Sequence, residues 1–218
     1  MELKEDVIAS KATISRLPSY LRLLRDTLAH GDEYISSTVI ATKLGLNSVQ
    51  VRKDLALVSS ASGRPKLGFA VKELIASIES FLGLNTSHDA VLCGVGSLGS
   101  TLLKYEGFKN YGLNIVAAFD INSAVIGKEI NGIFVLGYES LPETVHKLNV
   151  KMGIITAPKA HAQQIADDMA KSGIRAIWNF APVHLDLPDS IAVKYEDLAA
   201  SLAVLSKKLE DIIGGGAT

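Results

Sequence analysis

Apolar residues recur at helical spacing along the first eighty positions. Leu17, Leu21, Leu24 and Leu28 stand three or four apart in SRLPSYLRLLRDTL, and Gly31 follows them. A helix with one buried face is predicted there, ending at the glycine. The next stretch, ISSTVIATKLGLNSVQVRKDLALV, divides into two shorter helices. Ser36 or Ser37 can cap the first and Gly45 stops it, while Asn47 can cap the second by accepting from the backbone donors that follow it. SSASGRPKLGF, rich in Ser, Gly and Pro, reads as a hairpin-like loop. AVKELIASIESFLGL returns to helix and runs into a linker near residues 85–87.

From Asp89 the pattern changes. Short apolar runs (AVLC, NIVAAFD, GIFVL, MGIITA, AIWNF) alternate with amphipathic stretches such as SLPETVHKL and KAHAQQIADDMAKSG. Strands separated by helices imply a parallel, doubly wound sheet, to which IAVKY adds a candidate last strand. Residues 195–213 then carry Leu198, Leu202, Leu205, Leu209 and Ile212 at spacings of four and three. So narrow a seam either packs on its own domain or is lent to another subunit, and the pattern alone allows both.

Composition refines this picture in three places. A chain of 218 residues is comfortable for two domains. The net charge of −1 hides a basic module: residues 10–66 hold nine basic and four acidic side chains, a balance of +5 that leaves −6 for the rest. An anionic partner for that module alone is implied. The single cysteine, Cys93, lies in an apolar run, which excludes a disulfide framework, offers no zinc cluster and reads as a core thiol. No apolar run reaches the roughly 18 residues of a membrane span, and the charged start MELKEDV does not read as a signal peptide. A cytoplasmic protein without metal is expected.

The glycine-rich turn GVGSLG is the first candidate site. Gly94, Gly96 and Gly99, with Val95, Ser97 and Leu98 between them, have the G-x-G-x-x-G spacing. The first glycine permits a tight turn, the second lets the backbone approach a pyrophosphate, and the third lets helix pack on strand. The turn follows a predicted strand, opens a predicted helix, and precedes a second strand ending at Asp120, 21 residues beyond Gly99. An acid there accepts from a ribose 2′-hydroxyl and repels a 2′-phosphate, so NADH and NAD+ are expected rather than their phosphorylated forms. A dehydrogenase also needs an oriented proton donor. His161, at the start of a predicted helix, is the one histidine placed for that, and it reads better as an ordinary first-turn polar residue. With no substrate domain left in the chain, the expectation is no enzyme. An oxidoreductase with an accessory helical domain, or a module for coenzyme A, remains the alternative.

The second candidate site lies in the basic module. Residues 35–59 have the length and central turn of a helix-turn-helix. On its second helix Val51, Leu55 and Val58 share the face expected to be buried. Val49, Gln50, Lys53 and Ala56 are expected to point outward, with Ser48 and Arg52 to the side. Gln can read adenine, Arg or Lys guanine or phosphate, and Val49 a thymine methyl. Arg64 and Lys66 in the loop that follows fit a basic wing entering a minor groove.

Taken together, SRLPSYLRLL, VQVRKDL, GVGSLG, Phe119–Asp120, NFAPV (residues 179–183) and EDLAASL (residues 196–202) resemble the Rex family of redox-sensing transcriptional repressors, in order and approximate spacing. The resemblance implies an α/β protein of three parts. These are a winged-helix DNA-binding domain (1–84), a Rossmann-like NAD(H)-binding domain (85–194) and a C-terminal helix (195–218) exchanged between the subunits of a homodimer. It implies repression at a palindromic operator in promoter DNA, and release when NADH rather than NAD+ occupies the Rossmann site. Arg52, Lys53 and Arg64 match family DNA contacts, and Arg16 is expected beside them. Gly94, Gly96 and Asp120 match the dinucleotide site, with Thr156, Ala157 and Pro158 near the nicotinamide and Asn179 and Phe180 of NFAPV expected at the cofactor. Arg22, Tyr105 and Asp197 match positions that couple the domains and the exchanged helix. Three features depart from the family pattern: ALVS (residues 56–59) stands for the usual SYFG, the wing holds Pro65 and is one residue longer, and Asn122 replaces a second acid.

Overall fold

The computed structural model describes residues 9–59, 63, 64 and 67–214, so Pro65 and Lys66 of the expected wing tip lie outside the described residues. The chain divides between residues 86 and 87 into two compact units.

The first unit begins with α1 (Lys11–Ala29), capped by Ser10, whose hydroxyl accepts from Thr13 N–H. Leu17, Leu21 and Leu24 of the predicted face are wholly buried, joined by Tyr20. α2 (Ser37–Leu44) is capped by Ser36 and closed by Gly45 at φ +64°, where a left-handed residue is needed. Asn47 caps α3 (Ser48–Val58) by accepting from Val49 and Gln50 N–H. The N-terminus of each of these three helices thus falls where a side chain takes over a backbone donor that the helix leaves unpaired. Two strands of two residues, β1 (Tyr34–Ile35) and β2 (Phe69–Ala70), pair antiparallel, and an Arg64–Gly68 bridge extends the same ribbon. α4 (Val71–Phe81) completes the unit, burying Val71, Leu74 and Ile78, and Glu79 accepts from Arg25 of α1 at 2.7 Å. Helix-turn-helix plus ribbon is the winged-helix arrangement.

The second unit is a seven-stranded sheet. Its strands are β3 (His88–Cys93), β4 (Leu113–Asp120), β5 (Glu129–Ile130), β6 (Ile133–Gly137), β7 (Met152–Ile155), β8 (Ala176–Asn179) and β9 (Ala192–Tyr195). Their spatial order is β5-β6-β4-β3-β7-β8-β9, with every pair parallel except the β5–β6 hairpin. β3 lies at the centre. Its alternate residues Val91 and Cys93 enter one core with Phe119 and Ile155, while Ala90 and Leu92 enter another with Ala118 and Ile154. A strand buried on both faces must be apolar throughout, which explains why AVLC does not alternate. α5 (Ser97–Leu103), α6 (Leu141–Leu148) and α7 (Lys159–Lys171) connect the strands. Parallel strands need such crossovers, and the result is the expected doubly wound domain.

The last helix, α8 (Leu198–Gly214), starts beyond Asp197, whose carboxylate accepts from Ala200 N–H at 2.9 Å. Leu202, Leu205, Leu209 and Ile212 of the seam are 54–74% exposed. Of the two placements the seam allows, packing on its own chain is not the one adopted. No helix among the described residues is long and apolar enough to cross a membrane.

Candidate functional site

The strand order reverses at β3 and β7, so the turns that leave their carboxyl ends diverge and open a crevice between them. The glycine turn lies on one side and Thr156-Ala157-Pro158 on the other. They touch. Gly94 has φ +99°, and a Cβ there would stand 2.6 Å from Ala157 N, so only glycine lets the turns run side by side. Thr156 locks them, its hydroxyl donating to Gly94 O at 2.6 Å and its N–H to Cys93 O at 2.9 Å. A Cβ on Gly99 would collide with the Gly94 carbonyl oxygen. At Gly96 a Cβ would meet nothing within 4 Å. The missing side chain there makes room for no part of the chain itself, as a pyrophosphate-facing glycine requires. Ser97 and Leu98 follow exposed in the first turn of α5, which no side chain caps, so its N–H groups remain available to an anion.

Asp120 closes the turn from β4. Its Oδ2 accepts from Val95 N–H at 2.6 Å and its Oδ1 from Asn122 N–H at 2.8 Å. Each oxygen retains a lone pair for a ribose hydroxyl. Asn122 closes the next turn, its Oδ1 accepting from Ala124 N–H. Beyond Asp120 lies a cleft of about 150 Å³ walled by Ile121, Tyr138, Pro158, His161, Gln164 and Ile165. Cys93 backs it, and burial pushes its thiol well above the usual range, so it is a core group as expected. His161 sits exposed in the first turn of α7.

NFAPV corrects one expectation. Asn179 is wholly buried, its Nδ2 donating to Ala181 O and Val183 O and its Oδ1 accepting from Ala181 N–H, so its amide holds the loop rather than a cofactor. Phe180 is half-buried against Trp178, with ring centroids 4.8 Å apart, and its N–H bonds Ile155 O beside the crevice. Trp178 continues to Phe108 and then to Tyr105, which is 57% exposed and ends this row of rings. Asp197 is occupied as the cap of α8.

In the first unit, α3 presents Val49, Arg52 and Lys53 to solvent, with Ser48 half-buried and Val51 and Leu55 wholly buried. Val58 is only half-buried, and the buried arc is completed instead by an acid, Asp54. Arg16 of α1 meets it through two nitrogens at 2.7 and 2.9 Å, Tyr20 donates its hydroxyl at 2.7 Å, and Gln50 donates its amide at 2.9 Å. Burial opposes the Asp54 charge, but these three donors outweigh it and hold the carboxyl at about 2. This corrects the outward reading of Gln50, which is half-buried and turned to Asp54 because that carboxylate needs donors. Arg16 is likewise committed inward, with its side chain 23% exposed. Arg64 is exposed on the wing, donating to the Tyr34 hydroxyl at 3.0 Å, and Arg22 is exposed on α1. Lys66 lies outside the described residues.

Known proteins share this arrangement. Residues 9–56 match the family described as putative DNA-binding protein N-terminus, and residues 85–183 match the CoA binding domain family. The redox-sensing transcriptional repressor Rex of Treponema denticola is 44% identical over 91% of this chain and 94% of its own. That of Bacteroides fragilis is 39% identical over 94% and 93%. Among solved structures, RSP in complex with beta-NADH is 33% identical, with a TM-score of 0.86 over 94% of this chain and 96% of its own. RSP in complex with beta-NAD+ and operator DNA is 32% identical, with a TM-score of 0.87 over 97% and 100%. With identity of this extent across both units, the chain belongs to the Rex family of redox-sensing transcriptional repressors.

Proposed function

We propose that this protein is a cytoplasmic repressor that binds a palindromic operator in promoter DNA as a homodimer and leaves it when NADH replaces NAD+. The observation that carries the reading is that this chain matches RSP over nearly its whole length, both in its complex with NADH and in its complex with NAD+ and operator DNA. Exposed residues of both units have the matching chemistry. Arg52 and Lys53 stand exposed on the recognition helix for bases and phosphates, with Ser48 at its start, and Arg64 stands exposed on the wing, whereas Arg16, held by Asp54, is not among the DNA contacts. The open face of Gly96 takes the pyrophosphate, Asp120 the adenosine ribose, Thr156 and Phe180 border the nicotinamide half, and Ala157 and Pro158 line the cleft on the adenosine side. The exposed seam of α8 supports the homodimer, since four large apolar residues left in water gain most by meeting a second copy. Arg22, Tyr105 and Asp197 are the proposed coupling residues. No metal takes part in this scheme, and hydride transfer is no part of it.

Coenzyme A is the competing ligand, because residues 85–183 match the family that carries its name. Asp120 favours NADH. A carboxylate at the ribose accepts from a free diol, whereas coenzyme A carries a phosphate on that ribose and would be repelled. The test is a gel shift on a palindromic promoter fragment with NADH, NAD+ or coenzyme A added. Release by NADH alone is expected, and a complex indifferent to all three would overturn the redox-sensing reading.

A further inference from the structure

One wall of the cleft beyond Asp120 carries a polar contact that the nucleotide reading does not use. Gln164 donates its Nε2–H to Asp168 Oδ1 at 3.0 Å, one turn later on α7, and Tyr138 donates its hydroxyl to Asp168 Oδ2 at 2.8 Å. Tyr138 and Gln164 both line the cleft. A carboxylate only accepts hydrogen bonds, so Asp168 decides which end of the Gln164 amide faces it. The NH2 group is held, and Oε1 remains as an acceptor. Burial and the bond to Asp168 push the Tyr138 phenol upward, which keeps it a donor to the same carboxylate. The remaining wall is largely apolar, formed by Ile121, Pro158 and Ile165, with His161 beside them.

We propose that Gln164 determines specificity for the purine base of the bound dinucleotide, its Oε1 accepting from the 6-amino group of adenine, and that Asp168 positions it. This rests on the reading of the cleft as the nucleotide site. If the glycine turn takes the pyrophosphate and Asp120 the adenosine ribose, the base on that ribose falls beside Asp120, into the cleft that Gln164 walls. Adenine presents N–H donors at C6, and hypoxanthine presents a carbonyl oxygen there. Against Oε1 the first makes a hydrogen bond, while the second sets two acceptors face to face and leaves both without a donor. The two dinucleotides differ otherwise only at N1, which accepts in adenine and carries a hydrogen in hypoxanthine.

Calorimetric titration of the full chain with NADH and with reduced nicotinamide hypoxanthine dinucleotide tests the proposal. The unaltered protein is expected to prefer NADH about tenfold. Gln164→Met keeps the length of the side chain but removes the amide, and should bring the ratio close to one by weakening NADH alone. Asp168→Asn leaves Gln164 in place but lets its amide turn either way, and should narrow the ratio. A merely structural part for Asp168 would weaken both ligands equally. Equal affinity of the unaltered protein for the two ligands overturns the proposal, as does an unchanged ratio in Gln164→Met, and both outcomes leave the nucleotide site standing. An unchanged ratio in Asp168→Asn removes its positioning role. Binding of neither dinucleotide overturns the reading of the cleft, and the proposal with it.

Discussion

Asp54 shows what one buried charge asks of its surroundings. It lies 2% exposed with three donors around it, one of them the charged guanidinium of Arg16. Removing one partner of a buried pair is costly because the other loses its compensation. Arg16 retains partial access to water, so we expect Asp54→Ala to destabilise the first unit by about 2–3 kcal/mol, below the extreme for fully buried pairs. Guanidinium unfolding measures this. The pH dependence has a definite sign. The Asp54 carboxyl is held at about 2, below its ordinary value near 4, so its contribution is fully present above pH 4 and lost as pH falls towards 2. Asp54→Ala should flatten that part of the acid stability profile, and an equally steep profile in the variant would place the loss elsewhere. Gly96 offers the opposite case. A side chain there meets nothing of the protein, so Gly96→Val should leave folding and operator binding intact while abolishing NADH binding and hence release. Continued release of that variant by NADH would show that the pyrophosphate lies elsewhere.

Elements differ in how plainly the sequence announces them, and the reason is periodicity. α1 is legible because Leu17, Leu21 and Leu24 repeat over several turns, and β3 because its Ala90–Cys93 part, buried on both faces, is uninterruptedly apolar. β1 and β2 are two residues each, too short for any period, and the β5–β6 hairpin adds only Glu129 and Ile130 on the other side of its turn. The glycine turn is legible where steric demands set it, since a Cβ on Gly94 or Gly99 would collide with backbone. Asp54 was missed, although its position three residues after Val51 places it on the buried arc. A pattern of apolar residues alone does not announce a polar one that is buried with partners from α1. The inward turn of Gln50 went unseen for the same reason, because its partner is that acid. At this scale α3 and the wing should separate in their effects on DNA. Arg52→Ala is expected to lose about 1–3 kcal/mol on the operator and to relax preference at one base pair per half-site. Arg64→Ala should weaken all sequences alike and reduce the salt slope by roughly one unit per lost phosphate contact. Neither should change NADH affinity, and equal binding of Arg52→Ala and the unaltered chain to operator and random DNA would remove α3 as the reader. α8 is equally testable. Leu202→Asp puts a charge into the seam, where pairing with another copy would bury it at a cost of several kcal/mol. Light scattering should then report monomers, and an unchanged dimer would show that the seam is not the interface.

For the molecule as a whole, repression and sensing meet only through free-energy coupling. NADH can weaken operator binding by no more than the factor by which it prefers the DNA-released state, and a ligand with equal affinity for both states would shift nothing however tightly it bound. The coupling must also run backwards. If saturating NADH lowers operator affinity by a given factor, saturating operator must lower NADH affinity by the same factor. Typical coupling of 1–3 kcal/mol makes that factor roughly 5 to 150. We therefore expect NADH titrations of the free protein and of the operator complex to differ by the ratio found when operator is titrated with and without NADH. Arg22→Ala and Tyr105→Phe, at the proposed coupling positions, should shrink both ratios together while leaving NADH affinity of the free protein largely unchanged, because neither residue lines the glycine turn or the cleft beyond Asp120. Shrinkage of one ratio without the other would break the thermodynamic cycle. It would mean that NADH acts at a second site, or that release is set by rates rather than by equilibrium.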